Sequence, residues 1–399
     1  MSINTELQAG TREFRRANWA LILGGFACFT LLYGTQPILP QFTEAFDVSP
    51  TMASLTVSAG TLSLAFLLIP LSMLSDKFGR APLMKLALLG ATLFAWASAL
   101  APDFEWLVLS RAGVGACIAA LPAAAMAYLG EEIAPGARGR VMGMYIAGNA
   151  LGGMFGRFLS AVVTQYSNWH LGLMALAITG VLCTVLFWRL LPPARHFKSR
   201  SLAPMALWLD IRRIYADPGL PWLFCTSFLI MGAFVSIYNY LGFRLSEAPY
   251  HLGPAAIGTV FLLYAVGSAS SAWAGHLADR YGRGKIMLWM ISAMAVGVLA
   301  TINTELGIII TGLAIFTFGY FATHAIASGW VGFRAGERRG LVSALYLSSY
   351  YLGSSLLGST SGPLWSQYHW AGMVTGLMVC VSLVFVIGLY LSRLELKSR

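Results

Sequence analysis

Charge is what this sequence has least of: 11% of its 399 residues are Asp, Glu, Lys or Arg, against 57% that are hydrophobic. A soluble domain carries about 25% charged residues. A deficit of that size, spread along the whole chain, excludes a mostly water-facing surface and leaves the membrane class. Cysteine is scarce as well. Cys28, Cys117, Cys183, Cys225 and Cys380 all fall in apolar stretches, their number is odd and no C-x-x-C pair occurs. Neither a disulfide framework nor a zinc site is indicated. Metal-ligand spacing, a nucleophile motif and a phosphate-cradling loop are also missing. No cofactor is expected, and a membrane-embedded enzyme is disfavoured.

What the sequence has in place of charge is long apolar runs. About 20 mostly apolar residues in a helix cross the hydrocarbon layer. Only helices or closed barrels satisfy their backbone there, and period-two alternation is absent. Spans are expected near 18–39, 52–74, 82–100, 105–129, 141–164 and 169–191, then near 221–243, 254–275, 285–302, 306–330, 341–364 and 370–392. Arg12, Arg15 and Arg16 precede the first run as they would in a secretory signal. That run, Trp19 to Ile38, is longer than a signal's apolar region of about 7–15 residues, and it closes on Pro37-Ile38-Leu39-Pro40. It reads as a retained span.

One substantial polar segment, Pro192 to Pro221, divides the chain. It holds Arg195, Lys198, Arg200, Arg212 and Arg213, and Leu207, Ile211, Ile214 and Tyr215 recur at helical spacing opposite Asp210, Arg212 and Arg213. That pattern predicts a short helix on the membrane surface. The expected organisation is an all-α membrane protein of twelve transmembrane helices in two pseudo-symmetric six-helix bundles, 1–191 and 221–399, joined by a linker over 192–220.

The net charge of +10 is a matter of topology. Twenty-three of the 26 basic residues fall in the two tails, the linker and the loops after spans two, four, eight and ten, whereas the opposite side keeps only Arg244. Such segregation places both termini in the cytoplasm and makes nucleic-acid binding unnecessary.

The halves repeat. Ser72-Met-Leu-Ser-Asp76-Lys-Phe-Gly79-Arg80 returns 203 residues later as Gly275-His-Leu-Ala-Asp279-Arg-Tyr-Gly282-Arg283. Arg138-Gly139 with Tyr145 and Gly152 returns 201 residues later as Arg339-Gly340 with Tyr346 and Gly353. A duplication of six spans gives parallel repeats, which place a solute site between the halves near the midplane.

These residues resemble the major facilitator superfamily, and the resemblance covers essentially the whole chain. The loop signature of that family, Gly, then Asp four residues on, then Gly-Arg, matches Gly275, Asp279, Gly282 and Arg283 fully; Asp76, Gly79 and Arg80 match with Ser72 in place of Gly. Arg111 and Gly115 are similar to its span-four pattern. The close of span one is similar to twelve-span drug and sugar exporters. Gly148, Gly152 and Gly156 resemble the antiporter motif, with Gly153 in place of its Pro and Arg157 in place of a second Gly. The resemblance implies proton-coupled efflux of a small organic solute by alternating access, from a multi-pass protein of the inner membrane working as a monomer. It also implies that Asp76 and Asp279 latch onto the starts of neighbouring helices, near Leu341 and Val141; the plainer reading is a tight turn flanked by topology-setting charges.

Inside the spans the candidates are few. A charge at the bilayer centre costs from ~2.5 to more than 10 kcal/mol, so Arg111 and Arg157 are functional by default, unless Arg111 snorkels to the outer interface. An anion-binding role for this pair motivates the alternative of an organic-anion importer or exchanger. All sixteen carboxylates lie in loops or at span ends. His324 is then the protonatable candidate, or else a packing residue. Polar groups able to meet a solute are Tyr33, Gln36, Asn149, Tyr238, Asn239, Tyr240, Tyr346 and Tyr350, each of which also fits packing or interfacial anchoring. Short loops leave no soluble signalling domain, which disfavours a non-transporting sensor.

Overall fold

The computed structural model describes residues 6–197 and 204–398; Lys198, Arg200 and Arg399 lie outside the described residues. Among these residues every regular element is helical, with one isolated bridge between Leu7 and Ile133. Span one is α1 (Arg12–Tyr33), a 3-10 turn (Gln36–Ile38) and α2 (Leu39–Phe46). Spans two and three are α3 (Pro50–Phe78) and α4 (Arg80–Ala99). Span four is α5 (Phe104–Ile118) with α6 (Ala120–Glu132); α7 (Pro135–Tyr166) and α8 (Trp169–Leu190) complete the first half. The linker helix α9 (Pro204–Tyr215) follows.

The second half opens with α10 (Leu220–Ser246), then α11 (Pro254–Val260) and α12 (Tyr264–Tyr281) on either side of a 3-10 turn. It continues with α13 (Arg283–Ala300), α14 (Leu306–Arg334), α15 (Arg339–Thr360) and α16 (Gly362–Ser398). Eleven spans are long and apolar enough to cross a membrane among the described residues. The one that falls short is α15, whose 22 residues include many hydroxyls. Two of these hydroxyls are met by α3: Ser355 Oγ donates to the Ser58 carbonyl at 2.9 Å and Ser359 Oγ to Ser58 Oγ at 2.6 Å.

Proline explains the break in span one. Pro37 has no N–H for the carbonyl of Tyr33, and Pro40 none for that of Gln36. Span seven, without an internal proline over the same stretch, runs unbroken as α10. The last span has its own break at His369, where φ is 49°.

The chain forms two compact units, one of residues up to Ile38 and from Ala59 to the linker, the other of Leu39–Ser58 and Pro204 onward. In the first, α1 packs on α7 and α8, and α4 on α5 and α8. In the second, α10 packs on α15 and α16, and α13 on α14 and α16. The wiring is the same in both. So is the seam. Gly148, Gly152 and Gly156 of α7 face the backbone of α1, where a Cβ on Gly148 would lie 2.6 Å from the Ile22 carbonyl oxygen and one on Gly156 2.6 Å from that of Thr30. A Cβ on Gly152 would collide with the Phe26 carbonyl. The counterpart Gly353 of α15 meets the Phe228 carbonyl of α10 in the same way. Lipid offers no hydrophobic drive between helices, so close backbone approach through small residues takes its place.

Substitution tests this seam. Gly152→Val and Gly353→Val should each lower the thermal midpoint in lipid nanodiscs by a few degrees, from ~1–3 kcal/mol of overpacking. Gly143→Ala, which meets open space, should leave it unchanged. Midpoints equal to wild type in both valine variants would show that the seam is loose.

Candidate functional site

The break in span one gathers both buried arginines. The last carbonyls of a helix lack intrahelical partners, and the end of α1 is no exception. Arg111, 1% exposed, reaches from α5 to donate from Nη2 to the Leu32 carbonyl. Ser160 Oγ of α7 donates to the Gly34 carbonyl. A cation at a helix C-terminus also opposes the negative end of its dipole. Arg111 therefore points into the bundle, and the snorkelling alternative is corrected: its guanidinium has a carbonyl acceptor inside.

Arg157, 3% exposed, reaches the same break from α7. Its Nε donates to Gln36 Oε1 at 2.7 Å, its Nη1 to the Gly153 carbonyl at 2.8 Å, and its guanidinium lies 4.6 Å from the Tyr33 ring. The structure thus brings Tyr33, Gln36 and Arg157 together, on a helix end that two prolines create and a glycine-lined helix approaches. In the second half the equivalent positions are Asn239 and Gly358, and Asn239 Nδ2 donates to the Gly358 carbonyl at 3.3 Å. The pairing is duplicated; the charge is present in one copy. Asn149 joins neither group, its carboxamide oxygen lying against Gly25 at the α1–α7 seam.

The second half carries an aromatic and hydroxyl cluster around His324 of α14. Tyr346 Oη lies 3.0 Å from His324 Nδ1, and the Tyr350 ring centroid is 4.8 Å from the imidazole. Tyr346 and Tyr350, one turn apart on α15, both face His324, as residues four apart on a helix do. Tyr350 Oη is 2.6 Å from Tyr320 Oη, and Tyr320 stacks on Phe234 at 3.8 Å. Tyr238 joins through its ring contact with Phe234 and bonds Thr317 Oγ1 at 2.7 Å. The chain of contacts links the imidazole to four phenols. Tyr240 packs apart from it, beside Phe243 and Trp365.

Both loop motifs turn on a glycine that no other residue replaces without strain. Gly79 has φ 101° and Gly282 φ 99°, backbone that side chains rarely adopt. Arg80 pairs with Asp76 one turn back and with Glu131 of α6 at 2.9 Å. In the second copy Asp279 is 77% exposed and 3.9 Å from Arg283. There the carboxylate that meets the start of a helix is Glu395: it accepts from the N–H groups of Arg283 at 3.2 Å and Gly284 at 2.9 Å, where the helix dipole favours it. Beside Glu131, the buried Glu132 accepts from the backbone N–H groups of Arg195 and His196 at 2.8 and 2.7 Å, with the His196 ring at 3.1 Å.

Sequence reasoning missed Glu131, Glu132, Glu395 and Tyr320. An adjacent acid pair at the end of span four, on the side otherwise rich in arginine, was the available signal for the first two. For Tyr320 there was the spacing of four to His324 on one helix.

Comparison with known proteins agrees with this architecture. The profile of the Major Facilitator Superfamily matches residues 21–358 and, separately, 245–398. The MFS-type transporter YybF of Bacillus subtilis (strain 168) is 40% identical over 389 residues, covering 98% of this chain and 96% of its own. The inner membrane transport protein YnfM of Escherichia coli (strain K12) is 39% identical over 390 residues, covering 98% and 94%. The fold matches that of a bacterial homolog to the human lysosomal transporter Spinster with a TM-score of 0.80 at 15% identity, over 98% of this chain and 99% of that one. With twelve duplicated spans, a paired loop motif and relatives of this closeness along its length, the chain belongs to the Major Facilitator Superfamily and is a multi-pass membrane transporter of that type.

Proposed function

We propose that this transporter is a secondary exporter of a small organic solute, drug- or sugar-like, driven by proton entry and working by alternating access as a monomer. In this reading it sits in the inner membrane with both termini cytoplasmic, and its halves are 1–191 and 221–399 around the 192–220 linker. The observation that carries it is the setting of His324: a protonatable imidazole within 3.0 Å of the Tyr346 hydroxyl in mid-span. Protonation there places a charge in a low-dielectric site, and its cost couples the proton to the conformation. The polar groups of Tyr33, Gln36, Tyr238, Tyr346 and Tyr350 supply orientation to a solute against apolar walls. Asp76 with Arg80, and Asp279 with Arg283, serve as the conformational latch. The glycines 148, 152 and 156 are the surface along which the first half keeps its shape.

A second reading, import or exchange of an organic anion, draws on Arg111 and Arg157, both buried within spans. One experiment separates the two. In everted vesicles with an acidified lumen, proton release is followed with a pH-sensitive dye as organic cations, neutral sugars and organic anions are added in turn. Proton release with cations or neutral solutes, lost in His324→Gln, is the expected result. Movement of anions alone, blind to the pH gradient and abolished by Arg157→Gln, would replace it with the second reading.

The latch has its own test. Asp76→Asn should insert normally yet lower turnover at least severalfold, because Arg80 loses its partner one turn back. Turnover equal to wild type would remove Asp76 from the mechanism.

A further inference from the structure

The linker helix α9 has two apolar faces, one of which packs on the protein among the described residues. Ile214 is buried, and Leu207 and Ile211 are half-buried. Asp210 joins this inner face, contrary to the expected pattern, because Arg338 donates to its Oδ1 at 2.7 Å. Tyr215, expected on one apolar face with Leu207, Ile211 and Ile214, is 51% exposed, its ring edge-on to Phe224 at 5.8 Å. It shares the outer side with Met205, Trp208 and Leu209, which are 67%, 60% and 45% exposed, and with Arg212. A helix bathed in water would carry polar residues there.

The turn after α9 fixes the depth of this face. Arg334 holds Asp217 bidentately, Nε to Oδ1 at 2.9 Å and Nη2 to Oδ2 at 3.0 Å, while Asp217 accepts from the N–H groups of Gly219 and Leu220 at 2.8 Å each. Burial pushes the Asp217 carboxyl up, but the Arg334 bond and the two N–H groups outweigh it, and the net shift is downward; the clamp is therefore ionised at neutral pH. Immediately beyond, the Trp222 ring lies 5.6 Å from that of Tyr390, and Tyr390 Oη donates to the Pro218 carbonyl at 3.1 Å. Tryptophan and tyrosine gather where membrane meets water. The start of α10 is thus at headgroup level, and α9 ends five residues before it.

We propose that α9 docks on an anionic lipid surface, sinking Trp208, Leu209 and Met205 among the acyl-chain ends while Arg212 and Arg213 bind lipid phosphates. Charge complementarity selects this occupant. Arg212 stands within the exposed apolar strip and Arg213 at its edge, 4.0 Å from Asp210, and each basic residue near an anionic surface adds attraction. The docking is independent of which solute or ion the transporter moves.

Hydrogen exchange on the full-length protein tests it, in nanodiscs of phosphatidylcholine alone or with phosphatidylglycerol added. Amides of α9 should exchange on the order of tenfold more slowly with phosphatidylglycerol, with those of α13 unchanged. Arg212→Gln/Arg213→Gln should erase the difference between lipids, and Trp208→Ser should speed exchange in both. Equal α9 exchange in the two lipids for the wild type overturns the proposal whatever the variants do. Slow exchange that persists unchanged in detergent overturns it too, because it would assign the protection to the protein itself.

Discussion

Inside a bilayer no water completes an unfinished hydrogen bond, so every backbone group and every charge must be satisfied by the protein. The structure depends on that constraint most visibly at the end of α1. Two prolines remove donors that would continue the helix, and at the end so made the carbonyls of Leu32 and Gly34 are taken up by Arg111 and Ser160. The same stretch gives Arg157 its neutral cradle of Gln36, Gly153 and the Tyr33 ring. Burying a guanidinium is costly, and leaving a carbonyl bare is costly too. Each offsets the other here, which is why a break and two arginines occur together.

Duplication then fixes how far the irregularity can spread. Both halves are built on one seam, a glycine pressed on a carbonyl, at Gly152 with Phe26 and at Gly353 with Phe228. Around that common frame the copies diverge chemically: a guanidinium at Arg157 stands where the second half has Gly358, and a phenol at Tyr350 where the first has Asn149. A conserved frame with unlike linings gives one half a fixed cation and the other a titratable imidazole among phenols. The proposed transport cycle draws on that asymmetry.

Much of this was legible in the sequence because its signals are long or repeated. Twelve apolar runs, the two copies of Asp-x-x-Gly-Arg and the polar residues stranded in spans one, five, ten and eleven all point to the elements found. The acceptor of Arg111 was not legible, since a backbone carbonyl has no letter of its own. Nor was the role of Glu395, whose partners are two N–H groups 111 and 112 residues away. The faces of α9 were misassigned at Asp210 and Tyr215 because apolar residues occur on both sides, and only the Arg338 contact decides which side is inner. For α15, two of the hydroxyls that lower its apolarity, Ser355 and Ser359, bond to Ser58 within the fold.

Thermal unfolding in lipid nanodiscs tests the central claim most directly, by comparing Arg111→Met with wild type. Methionine fills the space and removes the buried charge, so a mere desolvation burden would be relieved. If the guanidinium completes the broken helix, the variant loses about 1–3 kcal/mol from an orphaned carbonyl, and the midpoint falls. A midpoint equal to or above wild type would contradict the account.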